Sequence, residues 1–76
     1  VDALARREED LRALQKNTLI IHGREDQVIP LSASLKLFEL IPKSQLHVFG
    51  QCGHWTQIEH ASRFTRLVTD FLLEAA

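Results

Sequence analysis

Two short apolar runs, Thr18-Leu19-Ile20-Ile21-His22 and Leu46-His47-Val48-Phe49, each stop at a glycine, Gly23 and Gly50. The first does not alternate with polar residues, which predicts a strand covered on both faces, as in a parallel sheet. Stretches with helical spacing flank the runs. Residues 2–15 are rich in Ala, Leu, Arg and Glu, with Leu4, Leu11 and Leu14 at helical intervals. Leu31, Leu35, Phe38 and Ile41 give one stripe to a helix over about 31–41, opened after Pro30 and stopped by Pro42. Ala61, Phe64, Val68 and Phe71 do the same for a last helix over about 58–73. There Glu59/Arg63 and Arg66/Asp70 are spaced as i,i+4 pairs on the wet side.

The predicted order is therefore helix, strand (about 18–22), helix, strand (about 46–49), helix. This is an α/β pattern in which a right-handed crossover sets two parallel strands side by side. Such strands need cover on both faces, so two of them rarely stand alone. The expectation is a portion of a larger sheet, with the first strand paired on its far side to a strand outside these residues. The absence of a helix cap ahead of residue 2 agrees with that expectation.

Composition adds mostly exclusions. Seventy-six residues allow one small domain with a marginal core. The apolar share of 45% and charged share of 25% are ordinary for a globular chain. A formal net charge of −1, with acids and bases interspersed, offers no basic stripe for nucleic acid. No apolar run approaches the roughly 20 residues that span a bilayer, and VDALARREED lacks the apolar core of a secretory signal. One cysteine forms no internal disulfide, so a reducing, cytoplasmic location is the expectation.

The chemistry gathers at the strand ends. In parallel α/β sheets, ligands sit at the carboxyl ends of the strands. Here Gly23-Arg24-Glu25-Asp26 follows the first run and Gly50-Gln51-Cys52-Gly53-His54-Trp55 the second. A carboxylate and an imidazole thus reach one edge of the sheet from neighbouring strands. A carboxylate so placed fixes the imidazole tautomer and stabilises the cation formed when the ring takes a proton. The order acid then histidine matches the last two members of a Ser…Asp…His triad.

IHGREDQVIP resembles the acid loop, and GQCGHWTQIEH the histidine loop, of the α/β-hydrolases, a likeness that runs from Asn17 to about Leu73. The fuller wording is similar to the meta-cleavage product hydrolases, above all the 2-hydroxymuconic semialdehyde hydrolases. The resemblance implies the C-terminal portion of an α/β-hydrolase fold. It also implies a parent enzyme that cleaves a carbon–carbon bond in the ring-opened products of catechols during aromatic degradation. The dienol is ketonised, the carbonyl is attacked, and a stabilised dienolate leaves. On this resemblance His54 is the general acid/base, Asp26 its orienting partner, and Trp55 part of the substrate cavity. It implies a small-molecule substrate, no cofactor, no metal, and a parent of a kind that is often a homo-oligomer. The serine and the oxyanion-hole amides must come from other sequence, because the glycines at 23, 50 and 53 frame no G-x-S-x-G. The 76 residues alone are expected to be inactive.

Plainer roles compete for each of these residues. Asp26 could merely cap a turn, and Glu25 is the rival acid. His54 could be a histidine tucked under a glycine turn, and Trp55 could simply cover core. His22 reads best as a satisfied structural histidine, and His47 and His60 as surface or rim residues. A metal site from His22, Asp26 and His54 has no supporting zinc spacing. Cys52 lies too close to His54 on one turn to act with it as nucleophile. Arg24 is better read as a loop arginine or local ion pair than as a substrate clamp. Two broader alternatives stay open: another α/β-hydrolase (esterase, epoxide hydrolase or haloalkane dehalogenase), or a non-catalytic module.

Overall fold

Strands β1 (Thr18–Gly23) and β2 (Ser44–Phe49) pair in parallel, in register from Thr18↔Ser44 to Gly23↔Phe49. The computed structural model describes the backbone of residues 2–75 and the side chains of residues 7–74. Helix α1 (Asp2–Ala13) precedes β1, and α2 (Leu31–Leu40) makes the crossover to β2. The short α3 (Thr56–Glu59) and the longer α4 (Ala61–Ala75) follow. Because the two strands end level with each other, the loops that leave them start from the same edge.

Local sequence explains most boundaries. Pro30 sits at the N-cap of α2 in extended geometry, and Pro42 forces Ile41 out of the helix into φ −88°, ψ 111°. The Ile41 amide still donates to the Leu37 carbonyl, so the helix closes without an orphan donor there. Helix α1 ends two residues sooner than its composition suggests, and β2 begins two residues sooner. Leu4 lies outside the described side chains.

Two expectations are corrected. The last helix is not continuous from residue 58, because His60 breaks it at φ −131°, ψ 53°. Its Nε2–H donates to the Gln51 carbonyl at 3.1 Å, and its ring stacks on Phe49 with centroids 5.2 Å apart. Those tertiary contacts pull His60 off the helical path and leave it half-buried. Its carbonyl still accepts the Phe64 amide and so starts α4. The second correction concerns faces. Ala61 is exposed, and Leu35 and Phe38 are 47% and 45% exposed, whereas α2 buries Ser34 and Leu40. Periodicity located an apolar stripe, but the small Ser34 is what meets β1, through His22.

The core is Ile20, Leu40, Ile41, Phe49 and Cys52. Each large aliphatic or aromatic side chain among them contributes roughly 1.5–3 kcal/mol on burial. At the end of β1 the packing is tightest. A Cβ on Gly23 would stand 2.0 Å from the Gly53 carbonyl oxygen and 2.6 Å from that of Cys52. Neither neighbour is a flexible side chain tip, so no rotamer change relieves the clash. Gly23→Ala, made in the full-length protein, is expected to lower the denaturation midpoint by the equivalent of about 1–3 kcal/mol or more. A denaturant titration beside the unsubstituted protein checks this, and an unchanged midpoint would contradict the close approach.

Candidate active site

Sheet hydrogen bonding does not stop where the strands do. The Arg24 amide donates to the Phe49 carbonyl at 2.9 Å, and the Glu25 amide to the Cys52 carbonyl at 2.9 Å. The loop after β1 then turns, with the Asp26 amide donating to the Gly23 carbonyl at 3.0 Å. This brings Asp26 under the loop after β2.

Asp26 uses both carboxylate oxygens. Oδ1 accepts the amides of Val28 at 2.7 Å and Ile29 at 2.9 Å, an Asx-type turn that only a short acid reaches. Oδ2 accepts the Nδ1–H of His54 at 3.0 Å. The turn role and the pairing role are therefore both occupied, one by each oxygen. The Ile29 amide is the main reason the Asp26 carboxyl lies below its ordinary range, at about 2. His54 and the Val28 amide pull in the same direction, against the burial of the side chain, which alone would raise it.

A carboxylate can only accept, so the bond to Asp26 fixes the proton on Nδ1 and leaves the lone pair of a neutral ring on Nε2. Nε2 has no partner among the described residues, and the His54 side chain is 35% exposed while that of Asp26 is 5% exposed. An acid is thus held inside and a basic nitrogen is presented outward. Trp55 meets the His54 ring edge-on, with centroids 5.2 Å apart, and is itself 57% exposed. It borders the open side of the ring instead of covering the core.

His22 is buried and satisfied at both nitrogens. Nε2 lies 2.9 Å from the Ile29 carbonyl, which can only accept, so Nε2 carries the proton. Ser34 Oγ–H then donates to Nδ1 at 2.7 Å. With both nitrogens engaged, His22 has no lone pair for a metal. Among the described residues no group of three or more His, Cys, Asp or Glu is disposed to hold one.

Glu25, the rival acid, is turned away from His54. Its carboxylate accepts the Cys52 amide at 3.0 Å and pairs with Arg24 Nε, and the Arg24 contact chiefly holds its carboxyl below the ordinary range. Arg24 is accordingly a local ion-pair residue. Burial pushes the Cys52 thiol up, with Glu59, Glu25 and Asp26 adding to the effect, so it stays protonated and poorly nucleophilic.

The histidine loop has its own supports. Gln51 takes φ 51°, a left-handed value that costs a non-glycine residue on the order of 1–2 kcal/mol. Glu59 accepts the Gly53 amide with both oxygens at 3.1 Å. It is thereby removed from the pairing with Arg63 that helical spacing suggests. Among the described residues neither Glu59–Arg63 nor Arg66–Asp70 closes to within 4.0 Å. Sequence reasoning missed Ser34 and this use of Glu59. The text T-Q-I-E just after the histidine, which places an acid at the end of a capping-box-like turn, was the available signal for Glu59.

A cleft of about 280 Å³ opens beside the pair, lined by Ile20, His22, Asp26, Ile29 and His54 among others. A groove of about 330 Å³ between β2 and α4, lined by His47, Arg63 and Asp70 among others, lies away from it. Size does not identify the site. The convergence of a deprotonated acid, an oriented imidazole and open space is what makes this the candidate site.

A profile of the alpha/beta hydrolase fold matches residues 3–61. The 2-hydroxymuconate semialdehyde hydrolase of Pseudomonas putida is 69% identical over 75 residues, covering 99% of this chain and 27% of that protein. A 2-hydroxy-6-oxo-2,4-heptadienoate hydrolase of Pseudomonas putida is 61% identical over 72 residues, covering 95% of this chain and 26% of that one. Among solved structures, a meta-cleavage product hydrolase from Pseudomonas fluorescens IP01 superposes with TM-score 0.88 at 65% identity, covering 91% of this chain and 25% of that one. The esterase RhEst1 from Rhodococcus sp. does so with TM-score 0.87 at 36% identity, over the same shares of the two chains. The chain therefore spans about a quarter of the length of the relatives it matches.

The low-lying Asp26 carboxyl has a consequence for stability. A carboxyl held down in the folded state contributes fully above its unfolded value, near 3.8. That contribution is lost as the pH falls toward about 2. Carboxyl-carbon NMR of Asp26 in the full-length protein should show a midpoint close to 2. A midpoint at or above 3.8 would remove the proposed amide and imidazole bonds.

Proposed function

The chain belongs to the alpha/beta hydrolase fold family, and from that premise we propose that its parent protein hydrolyses a carbon–carbon bond in ring-opened catechols of the 2-hydroxymuconic semialdehyde type. The observation that carries the reading is the high identity along nearly the whole chain, both loops included, to a hydrolase named for that substrate. In this reading His54 is the general acid/base, working through Nε2. Asp26 holds the ring in the Nδ1–H tautomer and stabilises the imidazolium when Nε2 takes a proton. The 3.0 Å contact between them supports that division of labour. Trp55 is exposed at the edge of the His54 ring and does not line the cleft beside the pair; its part in the substrate cavity rests on the resemblance of the histidine loop.

The nucleophilic serine and the oxyanion donors come from sequence outside these 76 residues. After ketonisation of the dienol, serine attacks the carbonyl while His54 Nε2 accepts its proton. The same ring then returns a proton as the dienolate leaves, and water completes the hydrolysis. No cofactor is needed for these steps, since the chain's own groups move the protons. The substrate is a small molecule, with no role for nucleic acid or membrane, and the parent works in the cytoplasm. Among the described residues no helix is long and apolar enough to cross a membrane.

A second reading is favoured by the esterase superposition: the same triad on an ester substrate. Both chemistries use serine, so substrate profiling separates them. An aspartate at the nucleophile position would instead point to an epoxide or haloalkane substrate through an alkyl-enzyme ester.

In the full-length protein, bleaching of the yellow dienol of 2-hydroxymuconic semialdehyde is the direct assay. His54→Ala should cut kcat by several orders of magnitude, and Asp26→Asn by about 10⁴-fold through the wrong tautomer. Near-normal turnover in His54→Ala would refute the assignment. The 76 residues expressed alone should show no turnover and a broad, non-cooperative melt, because β1 leaves one edge unpaired among the described residues. A sharp two-state transition in a monomer would favour the non-catalytic module instead.

A further inference from the structure

The loop that carries His54, Gly50 to Trp55, has no helix or strand of its own, yet its backbone polar groups are taken one after another by three residues outside it, Glu25, Glu59 and His60. The Gln51 carbonyl accepts His60 Nε2–H at 3.1 Å. Cys52 is held twice by Glu25, whose amide donates to the Cys52 carbonyl and whose Oε1 accepts the Cys52 amide at 3.0 Å. The next amide, that of Gly53, is accepted by both oxygens of Glu59 at 3.1 Å. A Cβ at Gly53 would come within 3.2 Å of that carboxylate, so the absence of a side chain lets Glu59 close. His54 follows immediately, and its Nδ1 must meet Asp26 Oδ2 across the loop.

We propose that Glu25 and Glu59 are positioning residues that grip the two consecutive amides before His54 and thereby aim its ring at Asp26. Neither touches substrate. They come from opposite flanks, Glu25 from the loop after β1 and Glu59 from the end of α3, so together they fix the pivot about which the His54 ring would otherwise swing. A displacement of about 1 Å at a catalytic group costs on the order of 10²-fold in rate. What the loop needs from each carboxylate is an acceptor oxygen at a set reach, and its charge is secondary. Glutamine keeps one such oxygen, alanine has none, and aspartate retracts it.

The proposal rests on His54 being the general acid/base, and its test separates the two ideas. In the full-length hydrolase, Glu25→Ala, Glu25→Gln, Glu59→Ala, Glu59→Gln and Glu59→Asp are compared for kcat and KM on the dienol substrate. The low-field proton resonance of the His54 Nδ1–H, assigned by its loss in His54→Ala, is followed in each. The alanine variants and Glu59→Asp should lose on the order of 10²-fold in kcat at unchanged KM, with that resonance broadened or gone. The glutamine variants should keep both rate and resonance. If an alanine variant does not fold, Glu59→Asp against Glu59→Gln carries the comparison. Unchanged kcat in Glu59→Ala and Glu25→Ala, or glutamine variants as impaired as alanine, would overturn the proposal. If His54→Ala itself retains turnover, the catalytic reading fails. The resonance then decides alone: its survival in the alanine and aspartate variants overturns the positioning role, and its loss upholds it.

Discussion

The parallel pairing of β1 with β2 runs in register to Gly23 and Phe49 and then continues past them. Arg24 donates to Phe49 and Glu25 to Cys52, so the ladder of strand hydrogen bonds becomes a seam between two loops. Gly23 makes the seam possible, since any side chain there would strike the carbonyls of Cys52 and Gly53. A register slip of one residue would turn every side chain of β1 to the other face. It would also carry Asp26 away from His54. The site therefore takes its frame from sheet pairing and from one close backbone approach, and the carboxylates that accept the Cys52 and Gly53 amides hold the histidine loop within that frame.

Two adjacent acids in that seam do different work because their stems differ in length. Asp26 is short enough to fold back on the amides of Val28 and Ile29, which leaves Oδ2 facing outward to the imidazole. Glu25, one methylene longer, reaches across to Cys52 and pairs with Arg24 on the wet side. The Ile29 amide does most to hold Asp26 ionised, and the His54 ring and the Val28 amide add to it. An ionised acid against Nδ1 is what a histidine needs if Nε2 is to take up a proton readily. Beneath them His22 ties Ser34 of α2 to the Ile29 carbonyl, anchoring the far end of the acid loop to the crossover helix.

Features set by local sequence were legible in advance. The two apolar runs ending in glycine, the proline boundaries of α2, and the acid-then-histidine order follow from chain chemistry that neighbours do not alter. The resemblance of both loops then pointed to the α/β-hydrolase fold and to Asp26 and His54. What was not legible depends on contacts made across the fold. His60 breaks the last helix because Phe49 and Gln51 claim its ring, and nothing in residues 56–64 taken alone forbids a continuous helix. Glu59 is spaced for Arg63 yet is drawn to Gly53. Leu35 and Phe38 lie on an apolar stripe, but the face of α2 that meets β1 is chosen by the small Ser34 reaching His22. Periodicity reports that a face exists and is silent on which partner it meets.

The direction of the chemistry follows from which groups are already satisfied. Among the described residues no buried side-chain nitrogen or oxygen lacks a hydrogen-bond partner. Asp26 is filled on both oxygens and His22 on both nitrogens, and Cys52 is buried with its thiol pushed up. Of the groups gathered at the strand ends, His54 Nε2 alone combines exposure, a lone pair and an oriented ring. A proton taken up there meets a carboxylate on the opposite nitrogen, so the charge is balanced inside the protein while the exchange occurs outside it. The cleft beside that ring is lined by residues of β1, of the loop after it and of α2, so the space open to the pair is walled by the same crossover that positions Asp26.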